Sequence, residues 1–391
     1  MKLPQIHLTS RYLGYHPWIF DRNIKHNLKL PIGSLVEIVS KEGKVLGTGI
    51  YNRRTPVGLR RLTGPGEVAD AAYILKTLSN AKALREEWLP DQDSYRLCHS
   101  ESDGLSGLII EKFADVLLIH PVSAGWIYMM EDVCAALIQL YPKHHLKVMA
   151  NERHAAREKV SFDLLERRWQ GPDYVQINEN GVLHEVRFDV GHKTGFFLDQ
   201  RNNRKEVASH TSGKSLLDLC CNTGGFSLAA AKQGCTDITA VDLDEKALEV
   251  AKKSAALNKV KVDFKHVNAF DFMRNAIEKK KTWDVVVLDP AKLVGHKSEL
   301  SKGKKAYLDF NTLACQVVKP GGILFTCSCS GLIDERQFLD MVFYSGLEAG
   351  CELKVLKLTG ADSDHPFTNI YPEGRYLKAV FVQVNPMRKR D

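Results

Sequence analysis

Strands and helices alternate in the C-terminal part of the chain, and this alternation constrains the fold more than any other feature. From Lys214 onward, helical segments separate five strand candidates, which are SLLDLCC, DITAVDLD, VDFKHVNAF, WDVVVLDPA and GGILFTCSC. A run of such units predicts a doubly wound, largely parallel α/β sheet. Ligands of these sheets bind beyond the carboxyl ends of the strands, so the residues at those ends are the first candidates for a site.

Acidic residues stand at or beside the ends of the first four strands, namely Asp218, Asp242, Asp271 and Asp289. A single acid in such a place is often only a helix cap, but four at successive strand ends indicate a ligand site. The carboxylate of Asp242 can accept hydrogen bonds from both hydroxyls of a ribose. We expect Asp271 to accept a hydrogen bond from an adenine amino group. Together the four acids predict a nucleoside cofactor.

The turn after the first strand narrows the choice of cofactor. It reads DLCCNTGGF (218–226) and lacks the GxGxxG pattern of dinucleotide-binding turns. Only Gly224 and Gly225 open the next helix, so a pyrophosphate is a weak fit. A tight glycine turn beside an acid suits an uncharged or cationic nucleoside, and S-adenosylmethionine fits better than NAD. The predicted contacts from this turn are Asp218, Asn222 and Gly224.

Two further domains are predicted before the alternating region. Short strands run up to a Gly-Pro-Gly linker at 64–66 and predict a β-rich, barrel-like domain over residues 1–68. A helix and then strands around one or two further helices predict an α+β domain over residues 69–190. This domain ends with a hairpin whose turn is Asn180-Gly181. The α/β domain then covers residues 191–391.

The composition, with 44% hydrophobic and 26% charged residues among 391, is that of a globular protein. No apolar run approaches the roughly 20 residues of a membrane-spanning helix. The N-terminus lacks the apolar core of a signal peptide, so we expect a cytoplasmic protein without a membrane partner. The nine cysteines include no CxxC pair and no zinc-like spacing with histidine. We therefore expect reduced thiols and no metal.

The net charge of +7, from 54 Lys and Arg against 47 Asp and Glu, is a mild excess. It is compatible with a polyanionic partner but does not require one. Basic clusters lie at 279–281, 302–305 and 388–390. Each cluster could contact phosphate or form ordinary solvated surface, and the sequence leaves both readings open.

Several segments carry a resemblance to a known family. In the C-terminal half they are GHKTGFFLDQRNNR (191–204), LDLCCNTGGFS (217–227), AVDLDEKAL (240–248), VLDPAK (287–292), AYLDFN (306–311), SCSGL (328–332), DHP (364–366) and YPEGRYLK (371–378). This half resembles class I S-adenosylmethionine-dependent methyltransferases, which have a Rossmann-like fold. The whole chain resembles the bacterial family of large-subunit ribosomal RNA cytosine-C5 methyltransferases.

The N-terminal segments extend the resemblance. HPWIF (16–20) and GTGIYN (47–52) resemble the PUA RNA-binding module of that family, and ESDGLSGLIIEKF (101–113) resembles its middle domain. The resemblance implies large-subunit ribosomal RNA as the partner, and it leaves a homodimer open. It implies S-adenosylmethionine as the cofactor, held by Asp218, Gly224, Asp242, Asp271 and Asp289. Phe197 and Gln200 are expected to line the same pocket.

The stretch TCSCSGL (326–332) contains two thiols, Cys327 and Cys329. A metal site would need further ligands, and a disulfide between residues i and i+2 of a strand is geometrically poor. Packing in the core is the ordinary role of a cysteine. Cys329 lies nearer the carboxyl end of its strand and coincides with the family's SCSG cysteine. The resemblance therefore makes Cys329 the nucleophile and places Cys327 beneath it as a packing residue.

The family chemistry assigns Asp289 a second role, as the acid near N3 of a cytosine whose carbon 6 is attacked by the thiolate. Ala291 departs from the family, which usually has a second proline there, so the loop at the target base differs. The loop also lacks the aromatic residue typical of enzymes that methylate exocyclic amino groups. The rival hypotheses are an amino-directed RNA methyltransferase, a non-catalytic RNA-binding or assembly protein, and a small-molecule methyltransferase.

Overall fold

The computed structural model describes residues 2–9, 15–25, 29–189 and 195–387. The basic tail at 388–390 and the first four residues of GHKTGFF lie outside the described residues. The chain forms two compact units, one from Met1–Val175 with Ser363–Gly374 and the other from Gln176–Asp362 with Arg375–Asp391. No helix in the described ranges combines the length and hydropathy needed to cross a membrane.

The N-terminal part of the first unit is a five-stranded sheet in the order β1-β3-β4-β5-β2. The strands are β1 (Gln5–His7), β2 (Trp18–Phe20), β3 (Ser34–Val39), β4 (Val45–Tyr51) and β5 (Val57–Arg61). Strands β3 and β4 pair antiparallel and form a hairpin. On β3 the side chains of Val36 and Ile38 are fully buried, as the two-residue period of a strand with one buried face requires.

The rest of the first unit contains a four-stranded sheet in the order β6-β7-β8-β9 together with helices. Its elements are α1 (Ala71–Trp88), β6 (Ser94–His99), β7 (Leu108–Phe113), β8 (Val116–Pro121), α2 (Trp126–Leu140), β9 (His145–Val148), α3 (Glu152–Glu158) and α4 (Asp163–Arg168). The Asp70 carboxylate caps α1 by accepting a hydrogen bond from the amide of Tyr73. One core, with Trp126 and Leu137 of α2 at zero exposure, joins these helices to the sheet.

A β-hairpin follows, formed by β10 (Tyr174–Glu179) and β11 (Val182–Arg187). Asn180 has φ 52° and Gly181 has φ 83°. These two left-handed residues are what a two-residue hairpin turn requires, and Asn-Gly adopts them at low cost. The hairpin that the sequence predicted at this turn is confirmed.

The second unit is built on a seven-stranded sheet in the order β14-β13-β12-β15-β16-β18-β17. Its elements are α5 (Arg201–Ser209), β12 (Ser215–Leu219), α6 (Gly225–Lys232), β13 (Asp237–Asp242), α7 (Glu245–Asn258), β14 (Asp263–His266), α8 (Ala269–Glu278), β15 (Trp283–Leu288), α9 (Leu300–Gln316), β16 (Val318–Ser328), α10 (Glu335–Glu348), β17 (Cys351–Thr359) and β18 (Lys378–Pro386). The first five strands in this order pair in parallel, and β18 pairs antiparallel with both β16 and β17. The predicted doubly wound sheet is confirmed.

Two segments belong to different units from those that the sequence suggested. The hairpin, predicted in the domain 69–190, lies with the second unit because the amides of Leu183 and Glu185 donate to Asn258 and Ser254 of α7, at 3.0 Å each. Residues 363–374, predicted in the domain 191–391, lie with the first unit. There the amide of Arg96 on β6 donates to the Asp364 carboxylate at 2.8 Å.

Candidate active site at the strand ends

Asp218 lies near the carboxyl end of β12, which pairs with β13 on one side and β15 on the other, and its side chain has no solvent exposure. The amide and the hydroxyl of Ser227 both donate to Asp218 Oδ2, at 3.1 and 2.7 Å. Its Oδ1 accepts no hydrogen bond from the described residues. Burial raises the pKa of Asp218 to about 7, and the nearby Asp289 and Asp242 act in the same direction. Asp218 is therefore a buried acid that has no cationic partner among the described residues.

The turn between β12 and α6 has an unusual backbone. Cys220, Asn222 and Gly224 have φ values of 61°, 49° and 76°. A Cβ added at Gly224 would lie 3.3 Å from Ala251 Cβ as well as being strained by the positive φ, so glycine is the residue that fits. Alternating left-handed residues turn successive backbone amides toward one side, which suits a polar ligand.

Asp242, the last residue of β13, is tied to this turn. Its two carboxylate oxygens accept hydrogen bonds from the amides of Asn222, at 2.7 Å, and Asp244, at 2.8 Å. A carboxylate can accept about four hydrogen bonds, so both oxygens retain lone pairs for the two hydroxyls of a ribose. The structure brings Asp218, Asn222 and Asp242 together as the sequence predicted.

Asp271 does not end a strand, because β14 stops at His266 and α8 begins at Ala269. Asp271 lies in the first turn of α8 with 69% of its side chain exposed, 3.6 Å from Arg274. Asn268 caps that helix by accepting a hydrogen bond from the amide of Phe270 at 2.8 Å. The sequence placed Asp271 at the strand end because β14 ends sooner than the apolar pattern suggested. A contact of Asp271 with adenine stays a prediction.

Asp289 directly follows β15 and is partly buried. It accepts hydrogen bonds from Gln200 Nε2 at 3.0 Å and from the Cys327 thiol at 3.2 Å. Burial raises the pKa of Asp289 to about 6, although the bonds from Cys327 and Gln200 oppose the shift. Cys327 itself has no exposure, and burial followed by the charge of Asp289 raises the pKa of its thiol well above the usual value. A thiol in this state is a hydrogen-bond donor and a poor nucleophile.

Cys329 is the first residue beyond the end of β16 and is partly exposed. Both of its neighbours are fixed by Tyr307 of α9. The Ser328 hydroxyl donates to the Tyr307 oxygen at 2.9 Å, and that oxygen lies 2.9 Å from Ser330 Oγ. Ser330 Oγ also accepts the amide of Val294 at 3.1 Å, which ties the cysteine turn to the loop after Asp289. The nucleophile candidate therefore lies on a restrained turn.

Sequence reasoning missed part of this arrangement. Phe197 is partly buried and lies three residues before Gln200. Gln200 contacts Asp289 and Cys327 and bonds to Asn203 rather than to the glycine turn. Tyr307 lies within the segment AYLDFN, but the sequence assigned it no role, and its contacts with Ser328 and Ser330 are visible only in the structure. Among the described residues, no three His, Cys, Asp or Glu side chains are grouped as they would be around a metal ion.

Comparisons with known proteins agree with this architecture. Residues 7–64 match a PUA-like domain model, and residues 210–366 match a model described as a methyltransferase domain. A crystal structure described as a methyltransferase complexed with SAH covers 98% of this chain and 100% of its own, with a TM-score of 0.81 and 20% identity. A SAM-dependent methyltransferase structure from Streptococcus mutans has a TM-score of 0.80 and 21% identity, with the same coverage.

Fold and site together define an S-adenosylmethionine-dependent methyltransferase with an N-terminal PUA-like domain. Ribosomal RNA large subunit methyltransferase I of Aeromonas hydrophila is 37% identical over 95% of this chain and 96% of its own. The protein of the same name from Escherichia coli is 34% identical with the same coverage. The chain belongs to the ribosomal RNA large subunit methyltransferase I family.

Proposed function

We propose that this protein methylates carbon 5 of a cytosine in large-subunit ribosomal RNA through a covalent bond to Cys329. The observation that carries the proposal is the pairing of β15 with β16. The two strands are parallel, with Leu288 opposite Thr326. Asp289 and Cys329 both follow these strands, so a carboxyl group and a partly exposed thiol reach the same edge of the sheet as the cofactor acids.

A nucleophile is needed because carbon 5 of cytosine is itself weakly nucleophilic. The Cys329 thiolate adds to carbon 6, and the electron pair of the 5,6 double bond then attacks the methyl carbon of the sulfonium. S-adenosylhomocysteine leaves with the electron pair of the broken carbon–sulfur bond. A base removes the proton from carbon 5, the double bond reforms, and the thiolate is expelled. The net products are 5-methylcytosine, S-adenosylhomocysteine and one proton.

Asp289 is proposed as the acid that assists the addition. Negative charge develops on the ring during thiolate attack, and a protonated carboxyl at N3 would neutralise it. An ordinary aspartic acid is almost fully ionised near neutral pH. The raised pKa of Asp289, about 6, supports this role, because it keeps a usable protonated fraction. The bonds from Gln200 and Cys327 hold the carboxyl group in one orientation.

Binding of S-adenosylmethionine is assigned to the turn after β12 and its neighbours. The uncompensated charge of Asp218 suits the cationic methionine end of the cofactor, which Asn222 and Gly224 of the turn would also contact. Asp242 suits the ribose hydroxyls. Asp271, Phe197, Gln200 and Asp289 complete the proposed contacts, with Asp271 reaching the adenine from the first turn of α8.

The substrate and location are proposed from the family. The two relatives are named for ribosomal RNA of the large subunit, and the PUA-like match covers residues 7–64. An RNA substrate is also compatible with the net charge of +7. We infer that the protein acts on ribosomal RNA in the cytoplasm.

A homodimer is the assembly that we propose. Strand β17 lies at the end of the sheet order, and Val355, Leu356 and Leu358 on it are exposed. Identical edge strands can pair antiparallel across a two-fold axis, and such pairing would cover these side chains. Sedimentation of the wild type and of Leu356→Lys tests this. A dimer converted to a monomer by the substitution supports it, and a wild-type monomer contradicts it.

The proposed function is tested by transfer of labelled methyl groups from S-adenosylmethionine to ribosomal RNA. Cys329→Ala should lower the rate at least about a thousandfold, as loss of a covalent nucleophile does. Cys327→Ala is the matched control, two residues away, and should keep activity within about tenfold of the wild type. Normal methylation by Cys329→Ala would favour an amino-directed enzyme, and no cofactor binding by the wild type would favour a non-catalytic RNA-binding protein.

A further inference from the structure

Lys378 is the first residue of β18 and is paired with Ser328, the last residue of β16. In an antiparallel pair, residues directly opposite each other project to the same face of the sheet. Only 3% of Lys378 is exposed, although lysine is almost never fully buried unless its ammonium group is paired. Its position in the chain is 49 residues from Cys329, and the strand pairing alone brings the two segments together.

The ammonium group of Lys378 is fixed at the cysteine turn. Lys378 Nζ donates to the backbone oxygen of Ser330 at 2.7 Å and to that of Tyr376 at 2.8 Å. Ser330 is the residue after Cys329. Both acceptors are neutral carbonyl groups, so these bonds orient the ammonium without neutralising its charge. A lysine ammonium has three donors, and the described residues provide acceptors for two of them here.

The charged groups around Lys378 come from the turn after β16, the start of α10 and the loop after β15. Burial lowers the pKa of Lys378 to about 8. Among the charges, that of the Cys329 thiolate raises this pKa most, Asp334 and Glu335 raise it less, and Lys292 lowers it. An interaction between two titrating groups is mutual, so the cation that is stabilised by the thiolate stabilises the thiolate in turn. Cys327 and Tyr307 also sense the charge of Cys329, and burial raises the pKa of both.

We propose that Lys378 is the positioning residue that holds the Cys329 thiol in its reactive thiolate form. The inference rests on the proposed function, in which Cys329 is the nucleophile. In the free enzyme the thiol proton leaves to solvent, and the ammonium of Lys378 compensates the negative charge on sulfur. The thiolate then supplies the electron pair for addition to carbon 6. When the product is expelled, the same charge favours the departing thiolate.

The test is the pH dependence of Cys329 alkylation by iodoacetamide, resolved by peptide mass spectrometry because the chain has nine cysteines. In the wild type, the midpoint should lie below about 8.5, the value of an unperturbed cysteine. Lys378→Gln keeps two N–H donors for the carbonyls of Ser330 and Tyr376 but loses the charge. It should raise the midpoint by about one unit or more. Lys378→Arg keeps the charge and should stay close to the wild type.

A wild-type midpoint at or above about 8.5 overturns the proposal without any variant. An unchanged midpoint in Lys378→Gln also overturns it, provided that the variant still binds S-adenosylmethionine and is therefore folded. Methyl transfer by Lys378→Gln should be reduced at pH 7 and partly recovered at pH 9, where the uncompensated thiol ionises. Failure of the Lys378 proposal can be distinguished from failure of the proposed function. Normal methylation by Cys329→Ala contradicts the proposed function, whatever the alkylation midpoints are.

Discussion

The acids Asp103 and Glu111 of the first unit have arginine partners, whereas Asp218 and Asp289 at the strand ends of the second unit have none among the described residues. Arg85 donates from both terminal nitrogens to the Asp103 carboxylate, at 2.7 and 2.6 Å. Arg96 donates to Glu111 at 2.7 Å. Burial would raise the pKa of Glu111, but Arg96 and His120 outweigh it and the pKa is lowered. The charge of each of these acids is compensated by an arginine of the protein itself.

Among the described residues, the donors to the strand-end acids Asp218 and Asp289 are all neutral groups. Within the described ranges neither forms an ion pair, and burial raises both pKa values. Pairing is not lacking throughout the second unit, because Arg204 donates two bonds of 2.6 Å to the Glu179 carboxylate. Charge is thus left uncompensated at the strand ends, where a bound ligand can compensate it, as is usual at functional sites.

The largest effect that tests this comparison is expected from Asp289→Asn. An asparagine keeps an acceptor for Gln200 but cannot donate a proton to the base. We expect methyl transfer to fall by about 10²–10⁴-fold, the usual contribution of a general acid. Stability should be unchanged or higher, since an acid with a raised pKa destabilises the fold when ionised. Urea denaturation and methyl transfer measure the two effects. Lower stability with full activity would show that Asp289 stabilises the fold and does not serve catalysis.

The substitution Arg85→Met tests whether the arginine partners of the buried acids stabilise the fold. It leaves the Asp103 carboxylate without its partner and should destabilise the protein by about 3–5 kcal/mol. Urea denaturation followed by tryptophan fluorescence measures the loss. The double variant Arg85→Met with Asp103→Asn is the control and should recover part of it, because the buried charge is gone. A loss below about 1 kcal/mol would show that the pair is dispensable.

Cofactor binding by Asp218 should depend on pH. Its raised pKa, about 7, means that the folded protein keeps a proton that the unfolded chain has lost. The contribution of protonated Asp218 to the free energy of unfolding is therefore fully present below about pH 4 and is lost as the pH rises through about 7. The carboxylate binds a cationic cofactor better, so affinity should fall by up to about tenfold per unit below pH 7. Calorimetry with Asp218→Asn should show a flatter dependence, and identical slopes would contradict the assignment.

Cys327→Ala should have the smallest effect. It removes the thiol donor at 3.2 Å from Asp289 but keeps the acid itself. Because that bond lowers the pKa of Asp289, its loss should move the acid's titration in the pH–rate profile to a slightly higher pH. We expect activity to fall by about two- to tenfold, the value of one hydrogen bond. Cys327→Ser retains a donor and should recover activity, and equal losses in both variants would assign Cys327 to packing alone.

Much of the fold was predictable from the sequence because it depends on local periodicity. The strand–helix alternation predicted the doubly wound sheet, and Asn180-Gly181 predicted the hairpin. The unit that each segment joins was not predictable. The amide contacts of β11 with Asn258 and Ser254, like that of Arg96 with Asp364, link residues far apart in the chain and leave no periodic signal.

The candidate site was predictable where strand ends determine it. Asp218, Asp242, Asp289 and Cys329 follow from the rule that ligands bind at the carboxyl ends of parallel strands. The roles of Cys327 and Lys378 did not follow, because each depends on a neighbouring strand. Spacing within TCSCSGL suggested only that Cys327 packs beneath Cys329, whereas its thiol donates to Asp289 across the β15–β16 pair.

The central claim, a covalent bond between Cys329 and cytosine, is tested most directly by RNA that carries 5-fluorocytosine. The enzyme can add its thiolate and transfer the methyl group, but carbon 5 then holds fluorine in place of the proton, so the cysteine is not released. We predict a stable adduct that requires S-adenosylmethionine, maps to Cys329 by mass spectrometry, persists in Cys327→Ala and is absent in Cys329→Ala. Methylation of unmodified RNA without any trapped adduct, or an adduct at another cysteine, would contradict the account.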